Sequence, residues 1–494
     1  MRVALIVANP RMGPTLTVAT DDLTPAHLDQ PHVRKSRYSE GRQFRQLFAF
    51  IGLMTTEQGA FTMTRELRSA RAVAIGLGIA LAATGCAGGG SSDSGGGSSD
   101  GKVTLTVWEN AQPGPGEEYW QAAAKAYHAL HPSVTIKIQA IQNEDLDGKL
   151  QTALNSGSAP DIFLQRGGGK MQAMVDAGQV QALNLTATDK ANAGAPAVEG
   201  YSIDGKVYAM PVDTQPEGIY YSKDLFSKAG ITSTPTTMDE LEDAVAKLKA
   251  INVAPIAVGA KDAWPAAHWY YNFALRECSR NTLQEAAKSL EFTDPCWTKA
   301  GDDLASFLKV KPFQKGFLTN SSQQGAGSSA GMLANHKAAM ELMGNWNPGV
   351  IAGLTPNKKQ LPDLGWFPFP AVAGGQGDPT AIMGGLDGFS LSKNAPKEAH
   401  GFLEFLVTKD QQRAFAKAFY AIPVNKDAQE VVTDPYNVSA LQAFNKAAYS
   451  VMFLDTMYGQ NVGNAMNTAV VNLMAGKGTA ADIAKDTNAA AAKG

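Results

Sequence analysis

The sequence predicts an α/β fold, because strand-like and helix-like segments alternate along the chain. Residues 102–110, KVTLTVWEN, carry Val103, Leu105 and Val107 at alternate positions, which is typical of a half-buried strand. The segment EEYWQAAAKAYHALHP is typical of a helix that stops before Pro132, and VTIKIQAI alternates again as a second strand. A strand, a helix and a strand in this order predict helices layered on a parallel sheet.

Later segments continue the alternation. DLDGKLQTALNSGSAPDIFLQ predicts a helix, a break and a short strand over residues 162–164. Further helices are predicted at TMDELEDAVAKLKA, at APKEAHGFLEFLVTKDQQRAFAKAF and after Gly459. Further strands are predicted at VAPIAVG, KAAMELMG and LGWFPFP. The sequence shows no repeat of fixed period, which argues against a solenoid or a propeller.

A secretion signal is predicted well inside the chain. Three arginines, Arg65, Arg68 and Arg71, precede a mostly apolar run over residues 72–83 and then small residues. The run is roughly a dozen residues long, whereas a membrane-spanning helix takes about 20. We therefore expect residues 63–85 to be a signal peptide that starts at Met63. Residues 1–62 are then a disordered extension from a misassigned start, with a genuine cytoplasmic extension as the alternative.

The signal ends in ATGC, which resembles a bacterial lipobox, although Ala83 stands where Leu or Val is usual. The resemblance implies that Cys86 is acylated and becomes the mature N-terminus. An ordinary signal peptide with an incidental cysteine is the alternative. Residues 86–101 are rich in Gly and Ser and predict a flexible linker, because they cannot bury enough apolar surface to fold. We therefore expect an exported protein, lipid-anchored to the outer face of the cell membrane.

Composition limits the classes of partner and the size of the folded body. Removal of residues 1–85 leaves about 410 residues, which allows two or three domains. The formal net charge of −3 provides no basic field for nucleic acid. Cys278 and Cys296 are the cysteines other than Cys86. In an oxidising compartment they predict a disulfide that closes a loop of about 17 residues, with two free buried thiols as the alternative.

Five motifs together resemble extracellular solute-binding protein family 1. The family comprises binding proteins of ABC importers, and the resemblance is to its carbohydrate-binding group, typified by maltose-binding protein. The motifs cover almost all of residues 102–485. Ser222 replaces the family's usual Asn, and Met238 replaces its usual Trp. In chain order the motifs are GSAPDIFLQ, YAMPVDTQPEGIYYSKDLFSKAGI with PTTMDELEDAVAKL, HKAAMELMGNW, GGLDGFSLSKNAPKEAHGFLEFL, and AVVNLMAGKGTAADIAKD.

The resemblance implies a class II periplasmic-binding-protein fold. In this fold two α/β lobes are joined by hinge strands and hold ligand in the cleft between them. We place the crossings near residues 213–215 and 384–386. The N-terminal lobe is then residues 102–213 with 386–430, and the C-terminal lobe is residues 214–385 with 431–494. The implied protein is a monomer without catalytic activity, cofactor or metal, which captures a mono- or oligosaccharide and delivers it to an ABC permease.

Candidate ligand-binding residues follow from strand ends and from the resemblance. A sugar site needs aromatic platforms and planar polar side chains, and ligands of open α/β sheets lie beyond the carboxyl ends of strands. Strand ends provide Glu109, Asn110, Gln165, Arg166, Asn345, Trp346 and Asn347. The resemblance implies Trp346 as the stacking aromatic, Trp264 or Trp269 as a second, and Asp213 or Gln215 at the crossing; Asp387 follows the second Gly pair. The alternative for Glu109, Arg166 and Asp387 is an ion pair at the surface or hinge.

Two other functions stay open on sequence grounds. One is a secreted glycoside hydrolase, with Glu109 and Asp213 as its two carboxylates. The other is the same fold with a polyamine or a glycerol phosphate ester as cargo.

Two further motifs resemble ion-binding or phosphate-binding loops only in part. NEDLDG, residues 143–148, departs from a calcium loop at its first and twelfth positions, and QRGGGK lacks the spacing of a phosphate-binding loop, so we expect a Gly-rich turn there.

Overall fold

The computed structural model describes residues 101–110 and 115–493. The predicted extension, the signal peptide, Cys86 and the linker up to residue 100 lie outside the described residues. Within the described part, every helix is too short or too polar to cross a membrane.

The described residues form fifteen β-strands, several of them only two residues long. In chain order they are β1 Val103–Asn110, β2 Val134–Ile141, β3 Ile162–Gln165, β4 Ser202–Ile203, β5 Lys206–Val207, β6 Met210–Pro211, β7 Asp213–Pro216, β8 Gly218–Ser222, β9 Ala254–Ile256, β10 Ala338–Met343, β11 Leu364–Phe367, β12 Ile382–Gly385, β13 Gly388–Leu391, β14 Ile422–Pro423 and β15 Ser450–Val451.

They also form eighteen α-helices and three short 3-10 helices. The α-helices are α1 Pro115–Leu130, α2 Asn143–Ser156, α3 Gly168–Asp176, α4 Ala187–Ala193, α5 Ala195–Gly200, α6 Lys223–Lys228, α7 Met238–Ala250, α8 Trp264–Glu277, α9 Arg280–Ser289, α10 Pro295–Lys309, α11 Ser329–Ala334, α12 Asn347–Leu354, α13 Glu398–Leu406, α14 Lys409–Phe419, α15 Pro435–Lys446, α16 Leu454–Met457, α17 Gln460–Met474 and α18 Ala480–Ala491. The 3-10 helices are Ala260–Asp262, Phe317–Thr319 and Lys426–Val431.

The first lobe is built on a five-stranded sheet in the order β2-β1-β3-β13-β6. β1 runs parallel to β2 and β3, as the strand-helix-strand pattern predicts. β13 runs antiparallel to β3 and β6, so the sheet is mixed and the prediction of a parallel sheet is wrong for this edge. The physical reason is that β13 enters the sheet from β12, which returns from the second lobe, so that no strand-helix-strand unit sets its direction. Trp120, Phe389 and Phe402 are buried in the core of this lobe.

The second lobe is built on a four-stranded sheet in the order β11-β8-β10-β9. Helix α8 is buried along most of its length against α10 and α17, with Trp269, Tyr270 and Phe273 in the core. A disulfide between Cys278 and Cys296 joins the end of α8 to the first turn of α10, with 5.1 Å between the two Cα atoms. The bond closes the segment that contains α9 and ties together two helices that form much of this core.

Two extended strands connect the lobes. β7 follows the first sheet and leads into the second, and β12 leads back from the second sheet to the first. They pair with each other in antiparallel fashion, with Gly384 opposite Pro216 and Gly385 opposite Gln215. A Cβ atom at Gly384 would lie 2.9 Å from the carbonyl oxygen of Gln215, so the glycine permits this close approach. The strands that cross between the lobes therefore form one short ladder, which β14 and β15 extend on either side.

Two segments predicted as single helices are each a pair of helices. Residues 395–419 contain α13 and α14, which are separated at Val407 and Thr408. The chain after Gly459 contains α17 and α18, and Gly476 lies between them with a φ of +69°. A residue with positive φ cannot continue a right-handed helix, so α17 ends before it.

Candidate ligand-binding cleft

A cleft of about 540 Å³ lies between the lobes and is lined by both of them and by the crossing strands. Its volume falls within the range of small-molecule sites. The residues discussed below that line it are Asn110, Asn143, Glu144, Asp147, Arg166, Lys170, Gln215, Asp262, Trp264, His268, Gln323, Trp346, Gly385, Asp387, Phe453, Asp455, Gln460, Asn464, Asn467 and Thr468.

The first-lobe wall is polar and charged. Arg166, directly after β3, donates from its guanidinium to the Asn143 Oδ1 atom at 2.6 Å and lies 3.5 Å from the Asp147 carboxylate. Lys170 Nζ lies 2.7 Å from the same carboxylate. Burial raises the pKa of Asp147, but Lys170 and Arg166 outweigh it, and the pKa is lower than usual. This wall therefore keeps Asp147 as an anion between two cations.

The turn that carries Arg166 packs against the C-terminal part of the chain. Gly168 has a φ of +56°, and a Cβ atom there would lie 2.6 Å from the carbonyl oxygen of Thr456. The Gln165 Oε1 atom accepts from the backbone N–H of Arg166 at 3.0 Å. Only Arg166 and Gly167 of the QRGGGK segment form the predicted turn, since Gln165 ends β3 and Gly168 begins α3. The glycines allow close contact with the segment at α16.

The floor of the cleft is a buried network on the crossing strands. The Gln215 amide donates to the Asp213 carboxylate at 3.0 Å and to the Asp387 carboxylate at 2.9 Å. The Asp387 backbone N–H donates to Asp213 Oδ1 at 3.0 Å, and Arg166 lies 3.8 Å from Asp387 Oδ1. Burial and the neighbouring Asp387 raise the pKa of Asp213 well above its usual range. Burial also raises the pKa of Asp387, against the opposing charge of Arg166.

The opposite wall is aromatic. The Trp346 ring lies 6.0 Å from the Trp264 ring and 5.7 Å from the Phe453 ring, measured between centroids, and both pairs meet edge to face. His268 stacks on Phe453 at 4.5 Å with nearly parallel rings, and its Nδ1 atom bonds to the buried carboxylate of Glu217. These four rings offer the cleft an apolar surface that is held by contacts between the rings themselves.

Trp346 is held by the tight turn between β10 and α12. Asn345 donates to Asn437 Oδ1 at 2.7 Å and accepts from the Ile422 backbone N–H at 3.0 Å. Asn347 donates to Glu341 Oε2 at 2.8 Å. Both asparagines are buried and bond within the protein, and neither lines the cleft. The two residues predicted as ligand contacts on either side of Trp346 thus fix the turn that carries it.

One face of α17 and the loop before α11 complete the second wall. Gln460, Asn464 and Thr468 recur every four residues along α17 and line the cleft together. At the mouth, the Gln324 amide lies 3.3 Å from Gln142 Oε1 and 3.3 Å from Glu144 Oε2. This side chain bridges from the second lobe to the start of α2 on the first.

The predicted site residues separate into three groups. Those that line the cleft are Asn110, Arg166, Gln215, Trp264, Trp346 and Asp387. Behind the lining lie Gln165 and Asp213, which support Arg166 and Gln215, and Glu109, which is 2% exposed. Burial, together with Glu117, raises the pKa of Glu109 to about 8. Asn345 and Asn347 bond inside the second lobe as described above.

Trp269, the remaining predicted residue, belongs to none of these three groups and lies outside the cleft lining. Its side chain is fully buried in the second-lobe core, where it stacks on Phe307 at 5.4 Å. It is five residues after Trp264 on α8, and five residues turn a helix by well over one full turn, so the two side chains point in different directions. Trp264 is therefore the aromatic residue of this segment that reaches the cleft.

Sequence reasoning missed several lining residues. His268 is four residues after Trp264 and so shares its helix face, which the spacing alone could have indicated. The polar stripe at Gln460, Asn464 and Thr468 has the same four-residue signal. Asn143 and Asp147 also share a face of α2. They belong to the NEDLDG motif, whose pattern was compared only with that of a calcium loop. Phe453 follows the short strand β15 and carries no comparable signal.

A group of possible metal ligands lies outside the cleft lining. The side chains of Asp224, His336 and Asp363 approach within 4.8 Å of one another. Asp363 already accepts hydrogen bonds from Ser222 Oγ and from the Asp224 backbone N–H, and both its oxygens lie 3.0 Å from His336 Nε2. The group therefore supports the start of α6, where Ser222 is the N-cap.

Comparison with known proteins decides the family. The family model of bacterial extracellular solute-binding proteins matches residues 111–413, more than half of the chain. The chain belongs to this family. Its members are extracellular solute-binding proteins, and the two lobes with a cleft between them are their fold.

Three relatives place this solute-binding protein within the family. It is 26% identical to the multiple sugar-binding protein of Streptococcus mutans, over 72% of this chain and 81% of that one. It is also 26% identical to an uncharacterized ABC transporter extracellular-binding protein of Pyrococcus horikoshii, over 75% of this chain and 82% of that one. A solved structure from work on xylan utilization by Caldanaerobius polysaccharolyticus is 25% identical, covers 78% of this chain and 99% of its own, and superimposes with a TM-score of 0.72.

The position of Trp346 depends on a glycine two residues earlier, and this dependence can be tested. A Cβ atom at Gly344 would lie 2.1 Å from Trp346 Cζ3 and 2.5 Å from Cη2, so Gly344→Ala must displace the indole. We expect the free energy of unfolding to fall by about 1–3 kcal/mol, as for other overpacked sites, with a shift in tryptophan emission. Gly327→Ala is the control, because a Cβ there meets no atom within 4 Å. Equal stability and equal spectra for the two variants would contradict the described packing.

Proposed function

We propose that this solute-binding protein captures a sugar or an oligosaccharide in the cleft and delivers it to the permease of an ABC importer. The observation that carries the proposal is the pairing of the two walls. Trp264, His268, Trp346 and Phe453 form an aromatic surface, and the first lobe faces it with Asn110, Asn143 and Arg166. A sugar ring has apolar C–H faces and polar hydroxyls at its rim, and it matches both surfaces at once. The name of the Streptococcus mutans relative supports the same cargo.

Closure of the lobes is the proposed means by which the permease recognises loaded protein. Ligand contacts come from both lobes, so a bound sugar favours the state in which the walls are close together. We place the boundaries between the lobes near residues 213, 385 and 430, where β7, β12 and β14 form the crossing ladder. A monomer suffices for this role, since both walls belong to one chain.

A polyamine cargo would need unpaired carboxylates, and the cleft contains Glu144, Asp147, Asp262, Asp387 and Asp455. Each of these has a partner within the protein. Asp147 and Asp387 face Arg166, while Asp262 accepts from the backbone N–H and the hydroxyl of Ser322 at 2.7 and 2.8 Å. Asp455 accepts from Asn467 at 3.2 Å, and Glu144 from Gln324. Arg166 and Lys170 offset the charge of the carboxylates on the first-lobe wall, and this disfavours a polycation at that wall.

A non-catalytic role is favoured over glycoside hydrolysis. The two carboxylates that the sequence offered for hydrolysis, Glu109 and Asp213, are both buried behind the cleft lining. A hydrolase needs its acid and its base on either side of the scissile bond, in contact with the substrate.

The aromatic wall gives the direct test of the cargo. A thermal-shift screen against a carbohydrate panel identifies a ligand, since binding to the folded state alone raises apparent stability. With that ligand, we expect Trp346→Ala to remain folded and to lose roughly 1–3 kcal/mol of binding free energy in calorimetry, from the lost aromatic contact and buried area. Trp108→Ala is the matched control, because Trp108 lies on β1 outside the cleft lining. Equal affinity in the two variants would exclude Trp346 as a platform.

The proposed delivery requires the protein to stay at the membrane, and we propose Cys86 as its lipid anchor. The lipobox-like residues before it and the linker over residues 86–101 support this proposal. In a bacterial host, we expect Cys86→Ser to move the protein from the membrane fraction to the medium or periplasm and to abolish incorporation of labelled palmitate. Ser94→Ala in the linker serves as the control. Continued membrane association and labelling of the Cys86→Ser protein would rule out an anchor at this position.

A further inference from the structure

A buried carboxyl and a buried amide face each other beneath the aromatic wall. Glu341 on β10 is 1% exposed, and Asn347 at the start of α12 is fully buried. The Asn347 Nδ2 atom donates to Glu341 Oε2 at 2.8 Å, which accounts for one oxygen of the carboxyl and for the amino group of the amide. The amino group of the amide and one oxygen of the carboxyl are therefore in direct contact.

The remaining two oxygens of this contact have no partner. Glu341 Oε1 and Asn347 Oδ1 are both buried, and neither accepts a hydrogen bond from any of the described residues. Two orphan acceptors in one contact are unfavourable, because each has lost its hydrogen bonds to water. A single proton on Glu341 Oε1 removes both deficits, since the O–H can donate to Asn347 Oδ1. The result is a ring of two hydrogen bonds between a carboxylic acid and an amide.

Among residues 101–110 and 115–493, none of the elements packed around Glu341 places a cation where it would keep the carboxyl ionised. No titratable side chain comes from α11 (SAGMLA), from α12 (NPGVIAGL) or from β9 (API). On β8, Tyr220 lies opposite Glu341, and burial raises the pKa of its phenol. Helix α8, with His268, Arg276 and Glu277, packs with the other face of β10, where Met340 and Leu342 point. Burial raises the pKa of Glu341 to about 7 and outweighs the nearby Ser329 hydroxyl and the Asn347 amide, which lower it. The Ser329 hydroxyl donates to the Ser322 carbonyl oxygen at 3.1 Å and so leaves Glu341 Oε1 without a donor.

We propose that Glu341 is a neutral carboxylic acid which forms a cyclic hydrogen-bonded pair with the Asn347 amide, and that this pair positions Trp346 in the cleft. Asn347 directly follows Trp346, and Asn345 before it is fixed to Asn437 and to the backbone of Ile422. The Trp346 backbone is therefore fixed on both sides, and Glu341 provides the fixed point on the α12 side. Glu341 is a positioning residue. This proposal rests on the proposed function only in so far as Trp346 contacts a sugar.

The pH dependence of stability, measured without ligand, tests the neutral acid. The pKa of Glu341 is 4.5 when unperturbed and about 7 in the folded protein. Its contribution to stability is therefore full below pH 4.5 and is lost as the pH rises through about 7. Glu341→Gln keeps both hydrogen bonds, because its amide can donate to Asn347 Oδ1 and accept from Nδ2 at every pH. We expect equal denaturation midpoints at pH 4.5, and a wild-type midpoint below that of Glu341→Gln at pH 8.5.

A control variant is measured over the same range of pH. Glu291→Gln removes a carboxylate from an exposed position of the second lobe and should follow the wild-type pH profile. In the infrared difference spectrum of wild type minus Glu341→Gln at pH 5.5, a protonated carboxyl band should remain, because the other buried acids, Glu109 and Asp213, contribute equally to both proteins and cancel. Parallel stability profiles for wild type and Glu341→Gln, or no difference in that band, would overturn the neutral acid.

A second variant tests the positioning of Trp346 independently of any sugar. Asn347→Ala removes the amide, and we expect iodide to quench Trp346 more strongly, with the Trp346→Phe protein subtracted as background. Glu341→Gln should leave this quenching unchanged at pH 7. Unchanged quenching in Asn347→Ala would refute the positioning role. Sugar affinity is then measured separately, so that an absence of sugar binding refutes the proposed function and leaves the acid-amide pair to its own test.

Discussion

The two strands that cross between the lobes are joined by one buried polar network, and the geometry of the cleft depends on it. Gln215 on β7 donates to Asp213 and to Asp387, which follows β12. Because these carboxylates are removed from water, each needs its hydrogen bonds, and a change in the relative position of the strands would break them. Arg166 extends the network to the first-lobe wall. The network therefore ties the two crossing strands to each other at the base of the cleft.

The two walls are built by different means, and this difference suits them to different parts of a ligand. The first-lobe wall is a set of charged and amide groups held by hydrogen bonds among Arg166, Asn143 and Asp147. The second-lobe wall is held by ring packing, by the close approach of Trp346 to Gly344, and by the buried asparagines on either side of Trp346. Planar polar groups fix the direction of ligand hydroxyls, whereas ring faces provide apolar area. The protein thus divides orientation and burial of the ligand between its lobes.

The sequence predicted those features that depend on local pattern. The alternation at β1 and β2 and the strand ends that carry Asn110, Arg166 and Trp346 all followed from a few adjacent residues. The direction of β13 could not be predicted, because it depends on the return of the chain from the other lobe. Asn345 and Asn347 have the composition of a sugar site, yet their partners, Asn437 and Glu341, are distant in sequence or on the preceding strand. Phe453 reaches the cleft only through tertiary packing.

The central claim is that one ligand contacts both lobes at once, and small-angle X-ray scattering tests this claim most directly. The protein is measured without ligand and at a saturating concentration of the sugar that the thermal-shift screen identifies, with binding verified by calorimetry in the same buffer. A ligand that bridges the polar and aromatic walls favours the closed state, so the account predicts a smaller radius of gyration with sugar than without. A radius of gyration that stays constant while calorimetry reports saturated binding would contradict it.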